Sequence, residues 1–138
     1  MSNRTFTIVK PDSVRKGNAG KILSRIESEG FRILGLRKTS LSSRQAEGFY
    51  AVHKERPFYA SLVEYMTSGP VYVAALERED AVASLRKLMG ATDPAKADAG
   101  TIRKEFGESI EQNAIHGSDS DDNAKIEIAF FFAESDLL

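Results

Sequence analysis

Two histidines are present in 138 residues, and one of them, His116, stands in the stretch Asn113-Ala114-Ile115-His116-Gly117-Ser118-Asp119-Ser120. A histidine in a short strand or loop is ordinarily a satisfied structural residue, because neutral imidazole pairs readily with a backbone group. The setting allows more than that. Gly117 and Ser118 permit another molecule to approach, with Gly117 read as keeping the way to the imidazole open, and the helix that follows offers an N-terminus favourable to anions. A neutral imidazole can attack phosphorus through its free nitrogen when a carboxylate or carbonyl holds the other N–H. Glu127, about two turns into that helix, is the candidate holder; its plain alternative is a solvated glutamate.

Several dispersed residues share the same ambiguity. Lys10 leaves a strand just before Pro11, where an ammonium is either solvated or within reach of a phosphate. Arg86 and Arg103 are surface arginines or a planar clamp for phosphate oxygens. Thr92 either shapes its loop or donates a hydroxyl. Phe58 is an apolar anchor for its helix or a platform on which a base stacks. Tyr50 packs in the core with its hydroxyl at the rim, and Asn113 reads as a turn residue. None of these choices is settled singly.

The elements that would position them follow from periodicity. Thr5 to Val9 alternates into a first strand ended by Lys10-Pro11. Ala19, Ile22, Leu23 and Ile26 give an amphipathic helix stopped at Gly30. Phe31 to Lys38 is a strand, and Ser42 with Gln45 is the capping box of a helix running to about His53. Pro57 opens another helical stretch with Tyr59, Leu62 and Met66 along one side, and Gly69-Pro70 ends it. Val71 to Leu76 is a third strand. Asp80 is the expected N-cap of a helix striped by Val82, Leu85, Leu88 and Met89, with Arg86 beside the stripe and Gly90 at the end. Residues 91–100 form a loop, and Thr101 to Phe106 another turn or two of helix. Ala114 to His116 is a very short fourth strand. Ser120 or Asp121 then caps a helix expected to bury Ile126, Ala129, Phe130 and Ala133.

This order predicts a single domain over residues 1–138: an α/β, ferredoxin-like sandwich with a four-stranded antiparallel sheet and helices packed on one face. A 41% hydrophobic content suits one such core. Nineteen basic against 20 acidic side chains leave a net charge of −1, so nothing global draws the protein to nucleic acid or an anionic membrane. There is no cysteine, which excludes disulfides, thiolate chemistry and cysteine-held zinc. The start, "MSNRTFTIVKPD", has no signal-peptide pattern, and no apolar run approaches membrane-spanning length, so the expected location is cytoplasmic. No Walker-type or Gly-x-Gly-x-x-Gly sequence is present, so dispersed side chains must hold any bound phosphates. A protein-caged metal is not expected, whereas Mg²⁺ shared with substrate phosphates fits.

Taken together, these pieces resemble the nucleoside diphosphate kinase family. "NAIHGSDS" is similar to its active-site signature Asn-x-x-His-Gly-Ser-Asp, and the likeness extends to "TFTIVKPD", "GFYAVHKERPF", "MTSGPV" and "MGATDPAKADAGTIR". The resemblance implies the same ferredoxin-like sandwich and a ping-pong transfer of the terminal phosphate from a nucleoside triphosphate such as ATP to a diphosphate such as GDP, with broad base tolerance. It gives His116 as the phosphorylated nucleophile, Glu127 as the carboxylate that orients it, and Ser118 as a hydroxyl near both. Lys10 and Tyr50 match residues at the transferring phosphate, and Lys10 and Asn113 those at the sugar 3′-hydroxyl. Arg86, Thr92 and Arg103 match the phosphate-binding set, and Phe58 the stacking aromatic with Ile110 on the opposite side. Mg²⁺ arrives with the nucleotide, no metal being held by the protein alone. A homo-oligomer is implied, hexamer ahead of tetramer. The alternative from another class is a non-catalytic nucleotide-binding regulatory module, which would be expected to lack His116 or one of its charged partners. A nucleic-acid-binding sheet is a third reading, opposed by the near-neutral charge and the absence of an aromatic RNA-binding signature.

Overall fold

A computed structural model describes residues 3–138; Met1 and Ser2, where the stretch read for a targeting segment begins, lie outside them. Four strands form one sheet, β1 Arg4–Val9, β2 Arg32–Thr39, β3 Val71–Glu77 and β4 Ile115–Gly117, in the order β2-β3-β1-β4 with every neighbouring pair antiparallel. The helices are α1 Pro11–Arg15, α2 Ala19–Ser28, α3 Ser43–Phe49, α4 Tyr59–Met66, α5 Ala81–Met89, α6 Ile102–Phe106 and α7 Asp121–Phe131. β1 and β3 are central, so both alternating sets of their side chains are buried.

Strand alternation divides the interior in two. Phe6, Ile8, Val71, Val73 and Ala75 pack with Met66, Ile128 and Phe131, whereas Val9, Ala74 and Leu76 pack with Ile22, Ile26, Leu85 and Met89. Helices therefore cover both faces of the sheet: α2 and α5 lie on one, and α3, α4 and α7 on the other. The expected one-sided packing is corrected by this arrangement; 138 residues supply two apolar layers, and a strand buried on both faces needs both.

Local chemistry explains most boundaries. Ser42 accepts from the Gln45 N–H at 3.1 Å while the Gln45 side chain accepts from the Ser42 N–H at 2.9 Å, the reciprocal capping box. The helix it opens stops at Phe49, and Ala51–His53 continues as a 3₁₀ turn, so Tyr50 falls at the break. Asp80 stands at the N-cap of α5, but with φ +51° and no side-chain capping bond. Ser120 caps α7 by accepting from the Asn123 N–H at 3.1 Å. α7 differs most from expectation: it buries Ala124, Ile128 and Phe131, while Ile126, Ala129, Phe130 and Ala133 are exposed. Its apolar residues occupy two faces of the helix, so periodicity alone selected the wrong one. α1 has no apolar stripe to announce it; Pro11 at its first position supplies the pre-set φ.

Candidate active site

The site is built where β4 meets β1. His116 pairs with Ile8 across the two strands, which turns its side chain toward the face covered by α3, α4 and α7. The imidazole is packed among rings, with centroids of Phe49 at 5.4 Å and of Phe6 and Tyr50 at 6.3 Å, and remains 20% exposed. Its Nε2 lies 2.8 Å from Glu127 Oε1. The same oxygen accepts from Ser118 Oγ at 2.8 Å. Glu127 comes from the second turn of α7, so the cap at Ser120 sets where this carboxylate falls. With Nε2 donating to Glu127, the lone pair of the imidazole resides on Nδ1.

Gly117 is the next residue of β4, and its Cα faces the other way. A Cβ there would collide with Met89 Sδ and press on Leu85 Cδ2 at 3.2 Å. Gly117 therefore lets α5 approach the strand; the expectation that it keeps the imidazole accessible is corrected.

Three cations gather around this strand. Arg86, on α5, donates to the Gly117 carbonyl at 3.3 Å. Arg103, on α6, donates to the Ile115 carbonyl at 2.9 Å and to the Gly90 carbonyl at 3.1 Å. The carbonyls on either side of His116 thus each hold an arginine. Lys10 donates through Nζ to Asn113 Oδ1 at 2.8 Å and to the Glu111 carbonyl at 3.3 Å, and Asn113 Nδ2 donates in turn to the Thr92 carbonyl at 3.0 Å. Lys10 and Arg103 are under-compensated electrostatically. Burial, and then Arg103, pushes the Lys10 ammonium down to about 8, and burial with Arg86 pushes Arg103 down to about 10. Arg103 Nε and the Tyr50 hydroxyl are buried without a hydrogen-bond partner. Burial, and then Glu127, raises the Tyr50 phenol, so its proton stays on as a donor.

The remaining predicted residues lie at the rim. Phe58 caps the start of α4 and is 46% exposed, with His53 packed on its ring at 5.4 Å; Ile110 is 62% exposed. Ser61 Oγ donates to Glu111 Oε2 at 2.9 Å, tying α4 to the segment carrying Ile110. Thr92 is exposed at the edge, its carbonyl engaged by Asn113. Three contributors escaped the pattern reading. Thr7 donates to the His116 carbonyl at 2.7 Å. Gly90, with φ +87°, passes so close to Thr101 that a Cβ would sit 2.5 Å from its hydroxyl, and its carbonyl anchors Arg103. Asp12 is buried at the edge of the site. The alternation of β1 carried a signal for Thr7 alone.

An imidazole oriented by a carboxylate stands beside the buried Lys10 and Arg103, on an antiparallel sheet covered by helices on both faces. The comparisons with known proteins give the family. The family model described as nucleoside diphosphate kinase matches residues 3–137. A nucleoside diphosphate kinase of Anaeromyxobacter dehalogenans is 60% identical over 131 residues, covering 95% of this chain and 89% of that protein; one of Campylobacter jejuni is 60% identical over 134 residues, covering 97% and 98%. The crystal structure of the Aquifex aeolicus enzyme superposes with a TM-score of 0.97 at 45% identity over the whole of both chains. That of Halobacterium salinarum, solved in complex with CDP, superposes with 0.95 at 41% identity, covering 100% of this chain and 92% of that one. The chain belongs to the nucleoside diphosphate kinase family, has its ferredoxin-like fold, and is a phosphotransferase of nucleotide metabolism.

Proposed function

We propose that the chain, acting as one domain over residues 1–138, moves the terminal phosphate of a nucleoside triphosphate to a nucleoside diphosphate through a phosphohistidine on His116. The observation that carries this reading is the His116–Glu127–Ser118 cluster set against the under-compensated Lys10 and Arg103, with Arg86 beside them on the Gly117 carbonyl. In the first half-reaction the Nδ1 lone pair attacks the γ-phosphorus while the P–O bond to the β-phosphate breaks and the diphosphate leaves with the electron pair. In the second, the β-phosphate oxygen of another diphosphate attacks the same phosphorus, and the P–N bond electrons return to the imidazole. Glu127 accepts the Nε2 proton's hydrogen bond and stabilises positive charge on the ring; Ser118 fixes Glu127. Arg86, Arg103, Thr92 and Lys10 hold phosphate oxygens, so that charge spreading over the transferred group meets cations already in place. The Tyr50 hydroxyl, a donor lacking an acceptor, is directed to the same oxygens. Lys10 and Asn113 take the sugar 3′-hydroxyl.

Phe58 and Ile110 flank the base. Stacking without hydrogen bonds to base edges supports broad base tolerance, and the complex of the Halobacterium relative with CDP supports nucleotide binding by this chain. Mg²⁺ would enter with the nucleotide and supply positive charge against its phosphates, beside Lys10, Arg86 and Arg103. The chain is read as a homo-oligomer, hexamer ahead of tetramer, supported by β2 standing at the sheet edge with Leu36 half exposed.

Incubation with γ-labelled ATP and Mg²⁺ tests the reaction. The expected result is an acid-labile, base-stable label that added GDP discharges. A protein that takes up no label, or a His116→Ala variant labelled as well as the parent, would overturn the mechanism.

A further inference from the structure

The peptide just before the histidine is held in a conformation that ordinary residues avoid. Ala114 is fully buried with φ +77°, and the Ile115 N–H donates to the Asn113 carbonyl at 2.9 Å, closing a three-residue turn around it. A Cβ-bearing residue in such a γ-turn is strained. An extended residue in its place would run Asn113 smoothly into β4. The turn instead swings Asn113 back, so that its side chain meets Lys10 Nζ while His116 stays in the strand.

Two bonds hold the turn. The Ala114 carbonyl accepts from the Lys10 N–H at 2.9 Å, and the Ala114 N–H donates to Asp12 Oδ2 at 3.1 Å. Asp12 is 1% exposed, and its other oxygen is held by Tyr65. The Tyr65 hydroxyl accepts from the Asp12 N–H at 2.8 Å and donates its proton to Asp12 Oδ1. Burial, and then the bond to Asp12, raises the Tyr65 phenol, so that proton remains on the tyrosine. Oδ1 is thereby anchored on α4, and Oδ2 is left for the backbone of Ala114. A buried N–H deprived of this acceptor would be unsatisfied as well as strained, and the turn would relax.

We propose that Asp12, locked by Tyr65, is a positioning residue for phosphoryl transfer: it braces the strained turn at Ala114 and thereby sets the placement of the Lys10–Asn113 pair relative to the His116 imidazole. This rests on the phosphohistidine reading above. Neither Asp12 nor Tyr65 touches the reacting atoms; Asp12 acts through the turn and, by its charge, also favours the Lys10 ammonium. A displacement of about 1 Å between reacting groups costs on the order of 100-fold in rate.

The test uses the full chain and rapid-quench labelling of His116 from saturating γ-labelled ATP and Mg²⁺, with ADP affinity measured alongside by calorimetry. Asp12→Ala is expected to slow labelling about 100-fold, while ADP affinity falls much less, because Phe58, Arg86, Arg103 and Thr92 still hold the nucleotide. Ala114→Gly in the Asp12→Ala background is expected to recover at least about tenfold of the lost rate, because glycine takes φ +77° without steric cost. A merely structural role would lower thermal stability, leave the labelling rate of folded protein unchanged, and show no recovery; either of the last two results overturns the proposal. Should Asp12→Ala fail to fold, Tyr65→Phe decides: slower labelling with retained ADP affinity supports the brace, and a wild-type rate refutes it. An unlabelled parent protein would sink the phosphohistidine reading, whereas a labelled parent with an unimpaired Asp12→Ala variant sinks only the role given to Asp12.

Discussion

Replacing Lys10 by methionine should make the protein more stable at neutral pH and less able to handle phosphate. Lys10 is 7% exposed, and its ammonium is displaced from the ordinary 10.5 to about 8 by burial and by Arg103. That displacement corresponds to a cost of about 3 kcal/mol for keeping the ammonium charged in the folded state. Below pH 8 both folded and unfolded chains carry the proton, so the cost is present in full. Between about 8 and 10.5 the folded state has released a proton that the unfolded chain still binds, so stability rises with pH. Above 10.5 the cost is gone. Methionine fills a similar volume without charge but leaves Asn113 Oδ1 without its 2.8 Å donor, a loss of about 1 kcal/mol. Lys10→Met is therefore expected to be more stable than the parent by about 2 kcal/mol at pH 7. The difference should close by about pH 10, where the parent has shed the charge. Urea denaturation at both pH values and one fixed protein concentration reads it directly. A second signature concerns ligand: a bound phosphate chain restores the charge, so ADP binding just above pH 8 should take up a proton in the parent and none in the variant. Calorimetry in two buffers of different ionisation enthalpy measures this. A variant less stable than the parent at pH 7, or a stability gap independent of pH, would refute the claim that the cationic bay is under-compensated.

Phe58→Ala should weaken nucleotide binding by about 1–3 kcal/mol with little change in melting temperature, since the half-exposed ring supports no core; unchanged affinity in equilibrium titration would remove its stacking role. Gly117→Ala should destabilise the fold by about 1–3 kcal/mol through overpacking against Met89 and Leu85. Because α5 must yield, Arg86 should be displaced and labelling slowed. Parent-like denaturation and labelling together would show that Met89 moves aside freely.

The fold was legible wherever a local pattern had one reading. β1, β3, α2 and the capping box at Ser42 announced themselves through alternation, a 3.6-residue stripe or reciprocal side-chain spacing. α7 failed that test because Ile126, Phe130, Ile128 and Phe131 supply two competing apolar faces, and only tertiary packing of Ile128 and Phe131 against Phe6 selects between them. The use of both sheet faces was hidden for a related reason: connection order does not say which side each helix takes. In the site, Glu127 was within reach of His116 by helical arithmetic, but the gathering of Lys10, Arg86 and Arg103 joins segments as far apart as residues 10 and 103. Spacing cannot predict that; the family resemblance supplied it. Asp12 was invisible because it acts on backbone, through the Ala114 N–H; Gly90 was legible only as a helix end, not as the close approach to the Thr101 side chain that places its carbonyl on Arg103.

These omissions have a common physical cause. Sequence patterns register choices that favour the fold locally, and what they do not show is the cost of a residue's setting where the local choice is unfavourable. Ala114 sits at a positive φ, Lys10 and Arg103 are buried against like charge, and the Tyr50 hydroxyl has no acceptor. Each lowers the stability of the free protein. In the proposed function a phosphate chain would reverse two of them at once, by supplying negative charge to the cations and an oxygen to the phenol, so that binding energy would appear where folding energy was forgone. The strain at Ala114 is different, since no ligand relieves it. It must be opposed from within the protein at all times, and the buried Asp12–Tyr65 pair is placed to do so.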